Sequence, residues 1–269
     1  MTLFDTGSVQ IGPHSLEYRM VGPRPNAGPT IIMLHEGLGC VGLWGDFPDR
    51  LQKATGCGVF VYSRAGYGQS SPVKLPRPLS YMHDEARDVL PALLDTIGFR
   101  RGLLLGHSDG ASIATLYAGT HQDHRVGGLV LIAPHFFTED MGIAAIEEAR
   151  KAYETGDLRQ RLARWHGNVD NAFYGWNGAW LDPEFRKWDI TQALAYIRVP
   201  MLIVQGEHDQ YGTVKQIEAA ERDCYCPVEV ALLPKARHSP QRDAPEAALQ
   251  AISAFVADVL RINEWEEAA

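Results

Sequence analysis

The chain has 269 residues, 45% of them hydrophobic and 22% charged, with a formal net charge of −8. That length buries one large core with room for a small insertion, and the acidic balance excludes a protein that holds nucleic acid by neutralising phosphates. No uncharged apolar run approaches ~18 residues, which excludes a spanning helix. The opening Met1-Thr2-Leu3-Phe4-Asp5 lacks the basic-then-apolar pattern of a signal peptide, so a cytoplasmic protein is expected. Four cysteines, Cys40, Cys57, Cys224 and Cys226, make no disulfide framework in a chain this long. Cys224-Tyr225-Cys226 has no second Cys or His pair at zinc spacing, so no metal is expected there.

Leu16 to Met20 reads as an amphipathic strand, paired in a hairpin around Ile11-Gly12-Pro13. After a Gly- and Pro-dense loop, Thr30-Ile31-Ile32-Met33-Leu34 is a continuous apolar run too short for a helix, which predicts a strand buried on both faces. It stops at the glycine-bearing loop His35-Glu36-Gly37-Leu38-Gly39. A helix is expected from Leu43 to Thr55. A second buried strand, Gly58 to Tyr62, then leads into the loop Ser63-Arg64-Ala65-Gly66-Tyr67-Gly68-Gln69-Ser70. A helix from about Tyr81 to Ile97 carries Leu90, Leu93 and Leu94 at helical spacing.

The apolar run Leu103-Leu104-Leu105 ends in Gly106-His107-Ser108-Asp109-Gly110, and an alanine-rich helix of about 109–120 follows. Strand, sharp turn and helix with a serine at the apex is the arrangement that pushes a hydroxyl out at the end of a sheet, and glycines on either side of it avoid collisions with the neighbouring strand and helix. Leu129 to Ile132 gives one more strand. Repeated strand–helix units with doubly apolar strands predict an α/β fold: a mostly parallel central sheet with helices on both faces. In such sheets ligands lie beyond the carboxyl ends of the strands, so His35, Arg64 and Ser108 should gather at one rim.

From His135 to about Arg198 the rhythm breaks into amphipathic helical stretches, such as Ile143 to Tyr153 and Leu158 to Trp165, crowded with aromatic residues. Residues 135–198 are therefore expected to form a helical cap inserted into a core made of 1–134 and 199–269. Most cap aromatics should pack the cap onto the core, and some should line an apolar acyl or aryl pocket. Candidates for that pocket are His35, Glu36, Leu38, Phe136, Trp176 and Trp180. The alternation resumes with a buried strand at Pro200 to Gln205, followed by Gly206-Glu207-His208-Asp209. A helix near 213–222, a strand from Val228 to Leu233 and the loop Pro234-Lys235-Ala236-Arg237-His238-Ser239-Pro240 come next. A final helix of about 244–262 docks on the sheet, and Asn263 to Ala269 are expected to fray.

A serine hydroxyl needs a base within hydrogen-bond reach. Of ten histidines, His238 is best placed, in a loop after the last strand and off any regular element. The base needs a carboxylate to fix its tautomer, and Asp209, four residues past a buried strand, is the expected acid, with Glu207 its competitor. The order Ser108, Asp209, His238 is the one expected for this architecture. The developing oxyanion needs preorganised donors. The backbone N–H of Asp109 and that of Gly37 are expected to supply them.

These motifs resemble the α/β-hydrolase superfamily, in its capped group of serine esterases, lactonases and C–C bond hydrolases. The resemblance is carried by Gly106 to Gly110, Ser63 to Ser70, Gly206 to Asp209 and His238-Ser239-Pro240, and it implies the same Ser108, Asp209 and His238 triad, acting without a cofactor. The function expected is hydrolysis of a carboxylic ester or related acyl bond of a small molecule. The alternatives are C–C bond, lactone or thioester cleavage, or a ligand receptor or cofactor-free oxygenase on the same scaffold. One departure stands out: the family's oxyanion loop reads His-Gly-x, and here Glu36 occupies the glycine position. A carboxylate beside a developing oxyanion repels it unless it is paired, and Arg64 is the partner expected.

Overall fold

In the computed structural model, residues 3–268 are described, with side chains described as far as Arg261. Eight strands form one sheet: β1 (Thr6–Ile11), β2 (His14–Val21), β3 (Thr30–Leu34), β4 (Gly58–Tyr62), β5 (Gly102–His107), β6 (Val126–Ile132), β7 (Met201–Gly206) and β8 (Val228–Leu233). Their order is β1-β2-β4-β3-β5-β6-β7-β8. β2 runs antiparallel to both its neighbours, β1 and β4, and every pairing from β4 to β8 is parallel.

The doubly apolar strands alternate their side chains between two cores, as the two-residue period of a strand requires. Ile32, Leu34, Phe60, Leu104, Leu131 and Ile203 join one cluster, with Leu90, Leu94 and Tyr117 from helices on that face. Ile31, Met33, Val59, Leu105, Val130 and Val204 join the other, with Phe47, Leu51, Ile252 and Phe255. Because β5 sits mid-sheet and most strands run the same way, the loops after β3, β4, β5, β6, β7 and β8 all emerge at one rim.

Several helix boundaries differ from those read in the sequence. The stretch from Leu43 to Thr55 divides into a 3₁₀ turn, Val41–Trp44, and a helix, Phe47–Thr55; Gly45, at φ +60°, breaks the two apart. The helix from Tyr81 to Ile97 contains a π-helical segment, Glu85–Val89. Pro91 follows it, lacking an N–H and crowding the turn before it, which favours the wider winding. The stretch from Leu158 stops at Leu162, short of Trp165. The last helix runs Pro245–Ala268, continuing past the point where fraying was expected; Ala269 lies outside the described residues.

Between β6 and β7 the chain forms the helices Asp140–Thr155, Leu158–Leu162, Val169–Trp180 and Thr191–Leu194, with a 3₁₀ turn at Pro183–Lys187. Its aromatic residues pack largely on one another. Tyr153 and Phe173 stack with ring centroids 3.6 Å apart, and Phe185 lies between Trp180 and Trp188 at 4.9 and 5.4 Å. Among the described residues no helix is long and apolar enough to cross a membrane.

Candidate active site

Ser108 occupies the turn between β5 and the helix Asp109–Thr120, with φ +53° and ψ −116°. This left-handed conformation is costly for a residue with a Cβ, roughly 1–3 kcal/mol, and is held by its surroundings. A Cβ on Gly106 would overlap the Gly110 carbonyl, and one on Gly110 would overlap the Leu34 carbonyl. Both positions must therefore be glycine for strand and helix to close up. The Ser108 N–H is tied to the Ile132 carbonyl of the adjacent β6 at 2.9 Å.

Asp209 follows β7 and His238 follows β8, and the two meet. His238 Nδ1 lies 2.9 Å from Asp209 Oδ1 and 2.8 Å from Oδ2. Asp209 also accepts from Gln205 Nε2 and from the Tyr211 N–H, both at 2.8 Å. Burial raises the Asp209 pKa, but the hydrogen bond and charge of His238 and the Tyr211 N–H outweigh it and hold it at about 2. The carboxylate fixes Nδ1 as the protonated nitrogen, which leaves Nε2 as an acceptor facing away from Asp209. Ser108 and His238 both line one cavity. No hydrogen bond joins their side chains among the described residues; in enzymes that pair a hydroxyl with an imidazole, such a contact commonly tightens only when substrate binds.

The loop after β3 is shaped by Arg64, though not through the ion pair expected with Glu36. Arg64 is fully buried; its guanidinium donates to the backbone carbonyl of His35 and, at 3.1 Å, to that of Glu36, while its N–H donates to His35 Nε2 at 3.0 Å. Its charge faces Asp109, 3.9 Å away. The Glu36 carboxylate turns the other way, to 3.5 Å from His107 Nδ1 and 4.0 Å from Arg242. Burial raises the Glu36 pKa, yet His107 and Arg242 together pull it well below the usual carboxylate range. Two carbonyls close at hand satisfy a planar five-donor cation better than one distant carboxylate, and Glu36 lies beside His107 and Arg242 instead. His107 in turn places Nε2 2.7 Å from the His238 carbonyl, so Glu36, His107 and the His238 loop are linked.

Gly37 has a steric reason of its own, since any Cβ there would overlap the Trp176 indole. Neither the Gly37 nor the Asp109 N–H has a protein acceptor among the described residues. Below Ser108 the Asp109 carboxylate accepts from Tyr81 Oη at 2.5 Å and Trp180 Nε1 at 3.2 Å, which ties the inserted helices to the start of the serine helix. Burial pushes the Asp109 pKa up against the pull of Arg64 and these donors.

The cavity holds about 120 Å³ and is lined by Glu36, Gly37, Leu38, Ser108, His135, Gly142, Ile146, Trp176, Trp180, Tyr211 and His238. Of the pocket residues expected from sequence, Glu36, Leu38, Trp176 and Trp180 are at its wall. His35 and Phe136 are not. Both ring nitrogens of His35 are spent on the Glu36 carbonyl and the Arg64 N–H, so it braces the loop from behind. The Phe136 ring is fully buried in the core, its backbone fixed by Gln216 and Ile190. The sequence reading missed His135, Gly142, Ile146 and Tyr211 as wall residues. The signal for His135 was its place three residues beyond a central strand. A larger concavity of about 310 Å³ lies around Tyr117, Val126 and Pro200, near the amino ends of β6 and β7 and away from this chemistry. No group of three or more His, Cys, Asp or Glu among the described residues could hold a metal ion.

A model of the alpha/beta hydrolase family matches residues 31–251. The chain is 33% identical to the human (lyso)-N-acylphosphatidylethanolamine lipase over 117 residues, covering 44% of this chain but only a third (33%) of that lipase. It is 28% identical over 215 residues to the 2-hydroxy-6-oxononadienedioate/2-hydroxy-6-oxononatrienedioate hydrolase 2 of Pseudomonas putida, covering 68% of this chain and 72% of that one. Among solved structures, the enol-lactonase of Burkholderia xenovorans superposes with a TM-score of 0.71 at 19% identity, covering 95% of this chain and all (100%) of that one; at this identity the likeness shows the fold alone. A serine-bearing turn at φ +53°, the strand-end loops around it and a family match across most of the chain agree, and the chain belongs to the alpha/beta hydrolase family.

Proposed function

We propose that this hydrolase cleaves a carboxylic ester or related acyl bond of a small apolar or aromatic substrate through an acyl-enzyme on Ser108. The observation that carries the reading is the shared cavity. It exposes a serine held at φ +53° above a helix N-terminus, together with an imidazole whose far nitrogen is bound by a carboxylate at 2.8 and 2.9 Å.

Ser108 Oγ attacks the substrate carbonyl carbon while His238 Nε2 takes its proton. Asp209 holds Nδ1–H and stabilises the imidazolium without taking the proton itself. The carbonyl oxygen becomes the oxyanion, accepting from the Gly37 and Asp109 N–H groups, with the positive end of the serine helix behind it. As the C–O bond breaks, His238 returns its proton to the leaving alcohol. A water then repeats the sequence on the acyl-enzyme, freeing the acid and Ser108. The segment 135–198 acts as a cap, with Trp176, Trp180 and Ile146 forming the apolar wall. A cavity of about 120 Å³ is a little smaller than a ~150 Å³ cavity that takes up benzene, which favours short acyl or single-ring groups.

Labelling with a fluorophosphonate probe tests the reading. The wild type should label at Ser108 and Ser108→Ala should not; a folded wild type that fails to label would refute an acyl-enzyme. Steady-state rates on short- and long-acyl nitrophenyl esters should then fall as chain length outgrows the cavity.

A second reading, C–C bond hydrolysis by the same residues, draws support from the Pseudomonas putida relative. Glu36 weighs against a doubly carboxylated substrate of that kind, because it is a residue of the cavity wall and its carboxyl pKa is held well below the usual range.

A further inference from the structure

The cavity wall contains a polar group that the acyl-transfer scheme does not use. His135 is 5% exposed, and neither of its ring nitrogens has a hydrogen-bond partner among the described residues. Its ring nitrogens are not among the fully enclosed polar atoms that lack a partner, so they open onto the cavity, where a bound group would meet them. Its ring is nevertheless firmly placed. The edge-to-face contact with Trp180 has centroids 5.4 Å apart, the Ser112 hydroxyl holds the His135 carbonyl at 2.6 Å, and a Cβ on Gly212 would press within 3.2 Å of Cε1. Gly212 thus leaves the ring just enough room. The centroid of His135 lies 5.5 Å from that of His238, and both residues line the cavity with Ser108.

We infer that His135 is a specificity-determining residue whose free ring nitrogen hydrogen-bonds a neutral polar group, a hydroxyl or carbonyl, borne by the substrate near its scissile bond. The inference rests on the acyl-transfer reading and narrows its substrate class to hydroxy- or oxo-substituted esters. A neutral imidazole offers one donor and one acceptor, which suits a hydroxyl on either count. Glu36 belongs to the same wall, and a carboxyl held well below its usual pKa range disfavours a substrate carboxylate nearby. Burial and the neighbouring His238 hold the His135 pKa down at about 3, so the ring stays uncharged through the neutral range. A plain alkyl group at that point would leave the buried nitrogen unmet, which is how a site built for a hydroxyl rejects its isostere.

The test compares kcat/KM for ester pairs that differ only by a hydroxyl exchanged for a methyl, placed in one pair on the acyl side and in the other on the alcohol side. At least one hydroxylated ester should be favoured by about 10- to 100-fold in the wild type. His135→Phe, which keeps the ring and its contact with Trp180, should abolish that ratio, and His135→Gln, which keeps a donor and an acceptor, should restore part of it. The pair that responds tells which side of the scissile bond His135 reads. Equal rates within both pairs in the wild type, or a ratio that survives His135→Phe, would overturn the inference. Fluorophosphonate labelling of Ser108 in the same preparation reports separately on the acyl-transfer reading.

Discussion

Two carboxylate–imidazole pairs flank Ser108, Asp209 with His238 on one side and Glu36 with His107 on the other. Asp209 meets Nδ1 of its histidine with both oxygens at 2.8 and 2.9 Å, and Gln205 and Tyr211 hold it in turn. Glu36 stands off at 3.5 Å from its histidine and shares its charge with Arg242 at 4.0 Å. The imidazoles differ more than the carboxylates do. His238 has Nε2 left over for the cavity, whereas His107 has Nε2 committed to the His238 carbonyl at 2.7 Å. An imidazole can act as a base only through a nitrogen nothing else occupies. The same chemical couple therefore leaves a nitrogen free to act as a base in one place and, in the other, braces the His238 loop.

Breaking the tight pair should cost most. Asp209→Asn keeps the shape but favours the wrong tautomer of His238, and kcat should fall about 10⁴-fold; a loss under tenfold would mean that His238 does not depend on Asp209. On the other flank, Gly37→Ala drives a methyl group into the Trp176 indole. The loop must shift and carry its N–H with it, so kcat should drop about 10²-fold with KM for a short ester changed far less. Glu36→Gln keeps the size and removes the charge of the loose pair. A partly exposed pair at these separations is worth roughly 1 kcal/mol or less, so kcat/KM should fall about fivefold or less. A loss rivalling that of Asp209→Asn would erase the distinction between the two pairs.

A third imidazole, His135, is bonded to no carboxylate, and it should appear in stability. Its pKa is about 3 in the folded protein against an ordinary 6.5. The unfolded chain therefore binds a proton that the folded chain does not, and stability declines as pH falls from 6.5 toward 3, on the order of 1 kcal/mol per pH unit. Above 6.5 this contribution is complete. Urea midpoints measured across that range should fall less steeply with acid in His135→Phe than in the wild type; parallel curves would show that His135 is freely protonated in the folded state.

The tight pair was legible in the sequence because each member stands just beyond an apolar strand and the strand order sets where those ends meet. Ser108, Asp209 and His238 could each be expected at that rim from its place after a strand, and the structure puts Asp209 against His238 and His238 in the same cavity as Ser108. The partner of Glu36 could not be read the same way. Arg64 was the nearest cation by strand order, but its guanidinium donates to the His35 and Glu36 carbonyls, and backbone acceptors leave no trace in side-chain identity. Arg242, one of the cations Glu36 does meet, lies some two hundred positions away in a short helix, Pro240–Asp243, after the last strand. Phe136 and His135 show the same limit at closer range. They are adjacent in the chain, yet one ring enters the core and the other the cavity, and the backbone path past Ala133 at φ +46° decides which.

The most direct test is to trap the covalent intermediate. A short-acyl nitrophenyl ester mixed with the enzyme and quenched in acid within the first turnover should add the mass of one acyl group to the peptide bearing Ser108, and the Asp209→Asn variant should gain that mass far more slowly. An enzyme that turns the ester over while this peptide stays unmodified, or that carries the acyl group on another residue, would contradict the account.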